Sequence, residues 1–227
     1  MSTPLQLDTA PGSGSGERLS RPDRLIRLQP EAFRERFNRR HFLFEHALSD
    51  HPLFKLPRLI ELARDTQRKR PAHLYYDVGV TDLNERWGTS PTDLAVDDTI
   101  HRIETCNAWI TLKYADNDPA YAMVLERCMQ DILEVSGREL ERFMRLREII
   151  IFITSPHRLT TYHIDSECNF LLQLQGPKEI NLFKSDDREV LPEQEIEYFW
   201  TRDTNAPVYK PHLQHHADVI ALRPGVG

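Results

Sequence analysis

The sequence predicts an α+β protein in which a helical N-terminal half packs on a barrel or jelly roll of short strands. Three observations carry that prediction. Apolar residues recur at helical spacing in several stretches before residue 147. At Glu148 the pattern changes to the β-branched apolar run Ile149-Ile150-Ile151-Phe152-Ile153. After it come short apolar runs separated by turn signals, as in a meander of strands.

Residues 1–22 are rich in Ser, Gly and Pro and read as a disordered tail, because they have too little apolar surface to offset ordering entropy. Residues 23–147 form the mainly helical region, and 148–227 a partial barrel. A helix is expected around Pro30–Ala47, its solvated face carrying much of the arginine-rich stretch Arg18–Arg40; a docking patch for an acidic partner is the rival use of those arginines. Leu56, Leu59, Ile60 and Ala63 mark a helix over Leu53–Asp65, and Ile100, Ile103, Ala108, Trp109 and Leu112 mark another from Val96 to about Tyr114. The next helix has signals at both ends: Asp118 as cap, Pro119 in the first turn and Gly137 at the stop. A short helix, Arg138–Arg147, follows. The run Glu148–Thr154 suits a strand buried on both faces. Further strands are expected at Leu159–Asp165, Asn169–Gln175, Lys178–Phe183 and Ala217–Leu222, with Gly176-Pro177 as a tight break. Pro192 opens a short helix through Trp200.

The 227 residues are 40% hydrophobic and 28% charged, an ordinary composition for a globular domain with one good-sized core. The net charge of −6 argues against nucleic-acid and membrane-surface binding, both of which need a positive field. Cys106, Cys128 and Cys168 are odd in number and widely spaced, so they read as free thiols in a reducing compartment, and the expected location is cytoplasmic. The absence of GxSxG, P-loop and GxGxxG patterns leaves hydrolase and nucleotide chemistry without support.

The candidate chemistry lies in Thr160-Thr161-Tyr162-His163-Ile164-Asp165 and the residues after it. On a strand, His163 and Asp165 share a face, so an imidazole nitrogen and a carboxylate oxygen can enter one cavity and supply two corners of a facial triad for non-haem iron. With 10 histidines in the chain, chance supplies an HxD about once, and a second one, His216-Ala217-Asp218, is present. Context favours the first. Thr160 precedes His163 by three residues, Asn169 follows Asp165 by four, and Lys178 follows the Gly176-Pro177 break, a cation placed to receive the far carboxylate of a dicarboxylic acid.

This run, Thr-x-x-His-x-Asp-x-x-x-Asn-Phe followed by Gly-x-Lys, resembles the signature of the cupin-like JmjC-type Fe(II)/2-oxoglutarate-dependent oxygenases, close to their asparaginyl-hydroxylase branch. The blocks around Arg102–Lys113 and Asp118–Tyr121 also resemble bacterial cupin-like members. The resemblance implies a double-stranded β-helix barrel, a hydroxylase activity, and Fe(II) and 2-oxoglutarate as cofactors. It implies iron binding by His163 and Asp165, contact of Thr160 and Lys178 with the 5-carboxylate of 2-oxoglutarate, and Asn169 lining the same pocket. The substrate class by analogy is a protein side chain, and a homodimer stays open as the assembly.

In that family a Pro-Gly turn precedes the strand bearing the third, distal histidine ligand. Here Pro224-Gly225 is followed by two residues only, so the expectation is a barrel incomplete at its C-terminus and without that histidine. A truncated chain, a strand from a neighbour, or His212, His215 or His216 as substitute ligand are the three explanations, the first preferred. The rival function is a catalytically inactive cupin-like module that binds a partner or small anion; a zinc-dependent isomerase-like cupin is a third. Trp87, Trp109 and Trp200 are assigned to packing, Cys168 to a small core position, and Asp186–Glu189 to a solvated turn.

Overall fold

A computed structural model describes residues 24–79, 81–86 and 95–227, so the expected tail and Trp87 lie outside the described residues. Among these residues the chain is a mixed α+β protein with three small antiparallel sheets and no closed barrel. Its strands are β1 (Ile26–Arg27), β2 (Glu45–His46), β3 (Leu74–Val78), β4 (Ala108–Leu112), β5 (Ile151–Thr154), β6 (Lys178–Leu182) and β7 (Asp218–Leu222). Its α-helices are α1 (Pro30–Arg36), α2 (Leu56–Lys69), α3 (Val96–His101), α4 (Pro119–Ser136), α5 (Arg138–Phe143) and α6 (Glu193–Thr201).

Helix α4 has the ends its sequence specifies. The Asp118 carboxylate accepts from the Ala120 N–H at 2.9 Å, Pro119 occupies the first turn, and Gly137, at φ 81°, stops it with its N–H on the Leu133 carbonyl. In α2, Leu59, Ile60, Leu62 and Ala63 form the buried stripe. Leu53 and Phe54, expected within that helix, instead form a 3-10 turn whose N-cap is His51. Pro192 is the N-cap of α6.

Two expected helices are shorter, and strands replace their second halves. The stretch from Val96 to Tyr114 divides into α3 and β4, with Asn107 at φ 49° between them. Asparagine tolerates this left-handed conformation better than most residues, so it marks the break. Ala108-Trp109-Ile110-Thr111-Leu112 is buried throughout. A segment apolar on every side has no amphipathic period, and its content alone suits a buried helix or strand equally. Likewise α1 ends near Asn38, at φ 58°, and β2 follows. Phe33, Phe37, Phe42 and Phe44 then gather with Phe170 in one aromatic cluster, its ring centroids 4.5–6.5 Å apart.

The largest sheet has the order β3-β4-β5, with β4 central. The strand buried on both faces is therefore β4, not the one after Glu148. Strand β5 is an edge: Ile151 and Ile153 are buried, while Phe152 between them is 45% exposed. The face bearing Ile110, Leu112, Ile151 and Ile153 packs on Leu59, Ala63, Ile100 and Tyr121 of the helices and forms the main core. The opposite face carries Asp77, Trp109 and Thr111, all buried.

The C-terminal residues tie the two ends of the chain together. Val226 bridges Glu45 on one side and Gln173 on the other. Phe44 and Gly227 exchange two backbone hydrogen bonds at 2.8 and 2.9 Å. A side chain at Gly227 would overlap the Phe44 ring and the Leu171 carbonyl, so this close approach needs glycine. Beside it, buried His46 accepts from the Leu48 N–H through Nδ1 and therefore donates from Nε2 to the Gln173 carbonyl.

Burial lowers the pKa of His46, the two carbonyls around it offsetting only part of the effect. A depressed folded-state pKa means that the unfolded chain binds the proton more readily, so stability rises with pH. His46 thus stabilises fully above its ordinary value of 6.5, and that contribution is lost as pH falls below it. Thermal melts at pH 7.5 and 5.5 should show a larger drop for the wild type than for His46→Gln. Equal drops would exclude this linkage.

Candidate functional site

The segment carrying His163 and Asp165, expected as the strand Leu159–Asp165, is irregular and belongs to none of the sheets, as is most of the expected strand Asn169–Gln175. Long-range bonds hold it in place. Where β5 ends, buried Ser155 accepts from the Ala108 N–H at 2.8 Å and donates to the Ile103 carbonyl. Next comes Arg158, its side chain 3% exposed, paired with Asp77 of β3 and donating to the Gly79 carbonyl at 2.7 Å. Tyr75 donates to the other oxygen of Asp77 at 3.1 Å. Then the Tyr162 N–H bonds the Leu83 carbonyl at 2.8 Å, and the Tyr162 ring packs on Phe183 and Tyr209. The Tyr162 phenol is pushed up to about 12, by burial first and by Glu195 second, so it stays protonated and acts as packing. The Arg158–Asp77 pair did not stand out in the sequence; a lone arginine after an apolar strand was its one signal.

His163 and Asp165 come together, although the segment is not a strand. His163 Nε2 and Asp165 Oδ1 are 3.7 Å apart, the two side chains 31% and 50% exposed. His163 Nδ1 lies 2.7 Å from the Thr161 carbonyl. A carbonyl only accepts, so Nδ1 carries a hydrogen and the Thr161 carbonyl orients the ring. Two donors with bonds of about 2.1 Å to one metal stand about 3.0 Å apart at a right angle and about 3.6 Å apart at 120°. The observed 3.7 Å is near the wider case and about 0.7 Å beyond the right-angle arrangement of a facial site.

The other oxygen of Asp165, Oδ2, accepts from Asn169 Nδ2 at 2.8 Å. Thr160 is half-buried. Lys178 opens β6, and register places it on the same face as Ile180, Ile220 and the buried Leu222. Lys178 is half-buried and, among the described residues, has no hydrogen-bond or ion-pair partner; burial lowers its pKa.

The second HxD does not converge. His216 turns to Asp187 at 2.7 Å and Glu189 at 3.8 Å, whereas Asp218 faces His41 at 3.8 Å. The same pairing engages the turn at Asp186–Glu189, where Asp186 also holds Arg40 and Arg188 holds Glu193. Among the described residues no group of three His, Cys, Asp or Glu side chains is placed to hold a metal ion, so His212, His215 and His216 do not complete the site. Several arginines of the basic stretch are paired with acids, Arg24 with Glu134 and Arg40 with Asp186. Cys168 is exposed rather than in the core, its thiol against Asn38. Trp109 is buried against Phe152, and Trp200 is 66% exposed. No helix among the described residues is long and apolar enough to cross a membrane.

Comparison with known proteins returns no family model, no curated protein and no solved structure that matches this chain at a significant level.

Proposed function

We propose that this chain is the scaffold of an Fe(II)/2-oxoglutarate-dependent oxygenase, a hydroxylase whose substrate class is a protein side chain. The observation that carries the proposal is the approach of His163 Nε2 and Asp165 Oδ1 to 3.7 Å, with the imidazole oriented by the Thr161 carbonyl. In this reading His163 and Asp165 hold Fe(II). Lys178 and Thr160 receive the 5-carboxylate of 2-oxoglutarate, and Asn169 lines the same pocket. The half-buried ammonium of Lys178, with no partner among the described residues, is the support for a dicarboxylic cosubstrate, since an anion offsets its burial. When bound, iron and 2-oxoglutarate supply the oxidising power for C–H hydroxylation. The chain's own residues would hold the metal and orient the diacid. The three sheets are taken, in the same reading, as parts of a double-stranded β-helix, and the setting as cytoplasmic.

A second reading is a cupin-like module that binds an anion or partner without turnover. It is favoured by one observation: two, not three, metal donors converge among the described residues.

Succinate formation from 2-oxoglutarate, with Fe(II) and ascorbate present, separates the two. The wild type should exceed His163→Ala by at least about tenfold, the lower range for loss of a metal-site group. Equal background output from both would reject the oxygenase reading. Retained binding of 2-oxoglutarate would then support the module.

A further inference from the structure

We propose that Asn169 is a positioning residue for Asp165, holding its carboxylate so that Oδ1 alone is offered to a divalent cation. This rests on the metal-site reading above and goes beyond the pocket-lining role assigned to Asn169. The Asn169 amide donates to Asp165 Oδ2 at 2.8 Å, and Oδ1 is the oxygen that approaches His163. Turning the carboxylate to chelate through both oxygens would break that hydrogen bond. The choice of an amide is chemically apt. It donates to the outer oxygen without adding positive charge, whereas a lysine or arginine there would compete with the cation for the same carboxylate.

Two anchors fix the loop on which Asn169 sits. On one side the Cys168 thiol contacts the Asn38 side chain. On the other, Phe170 is packed between Phe37 and Phe44, with ring centroids 6.0 and 5.7 Å away. The amide is thus delivered by a backbone held in the aromatic core, although its own side chain is exposed. Likewise the Thr161 carbonyl sets the ring of His163. Each donor atom thereby has its outer partner: Thr161 for the imidazole and Asn169 for the carboxylate.

The test is titration of the whole chain with Mn(II), read by the electron paramagnetic resonance signal of the free ion, with no cosubstrate and no turnover. Wild type, Asn169→Ala, Asn169→Leu and His163→Ala are compared. Asn169→Leu keeps the approximate shape without the donor, and thermal melting of each variant reports folding. The expected result is Mn(II) affinity weakened about tenfold in both Asn169 variants at unchanged melting temperature. Affinity within twofold of wild type in the Asn169 variants, with loss in His163→Ala, would overturn the positioning role and leave the metal site standing. Wild type binding no tighter than His163→Ala would overturn the metal site and this role together. Weakening in step with a fall in melting temperature would also overturn the positioning role, since it would then be structural.

Discussion

Arg158→Ala should lower the stability of the protein by about 3–5 kcal/mol, the cost expected when one partner of a buried ion pair is removed. The guanidinium is 3% exposed and its partner Asp77 10% exposed, so the charge left behind on Asp77 would have little water to receive it. The Gly79 carbonyl would lose one of its two donors, with Asn107 Nδ2 at 2.7 Å remaining. Arg158 also has a buried Nε without a partner among the described residues. Replacement of both ends, Arg158→Met with Asp77→Leu, should recover much of the loss, because two apolar groups leave no unpaired charge. Chemical denaturation of the two single variants and the double variant measures this. A cost below about 1 kcal/mol for Arg158→Ala would mean that the pair is solvated and does not anchor the segment leading to His163.

Lys178→Met should act in the opposite direction on stability and strongly on ligand binding. Burial lowers the lysine pKa from its ordinary 10.5, so the charged form is held at a cost in the folded state. With the folded pKa depressed, the unfolded chain retains the proton at higher pH. The cost is therefore present at neutral pH and disappears as pH rises through the alkaline range toward 10.5. Methionine keeps the length of the side chain and removes the charge, so a gain of up to about 1 kcal/mol at pH 7 is expected, smaller at pH 10. Loss of a charge-assisted contact of about 2–3 kcal/mol should weaken 2-oxoglutarate binding about 30- to 150-fold. Melting curves at both pH values, together with calorimetric titration of 2-oxoglutarate, check the two halves separately. Stabilisation with unchanged 2-oxoglutarate affinity would remove Lys178 from the proposed site.

Local chemistry is what could be read without coordinates. The ends of α4 followed from Asp118, Pro119 and Gly137, because capping involves residues adjacent in the chain. His163 and Asp165 do approach each other, although the strand expected to align them does not form. The pairing of β6 with β7 lay within the expected strand positions, but their exact register did not. A segment buried on every side was among those misread, as were the expected strands Leu159–Asp165 and Asn169–Gln175. Ala108–Leu112 is a strand because β3 and β5 flank it, and neither neighbour is nearby in sequence.

The sequence by itself determined the helix caps, the α+β character and the short segment in which an imidazole and a carboxylate share a side. Tertiary structure alone decided that His216 and Asp218 part company and that Arg158 and Asp77 meet. The physical reason is range. Capping and side-chain alternation act over one to four residues, whereas burying a charge or choosing a partner depends on which distant segments the core brings into contact.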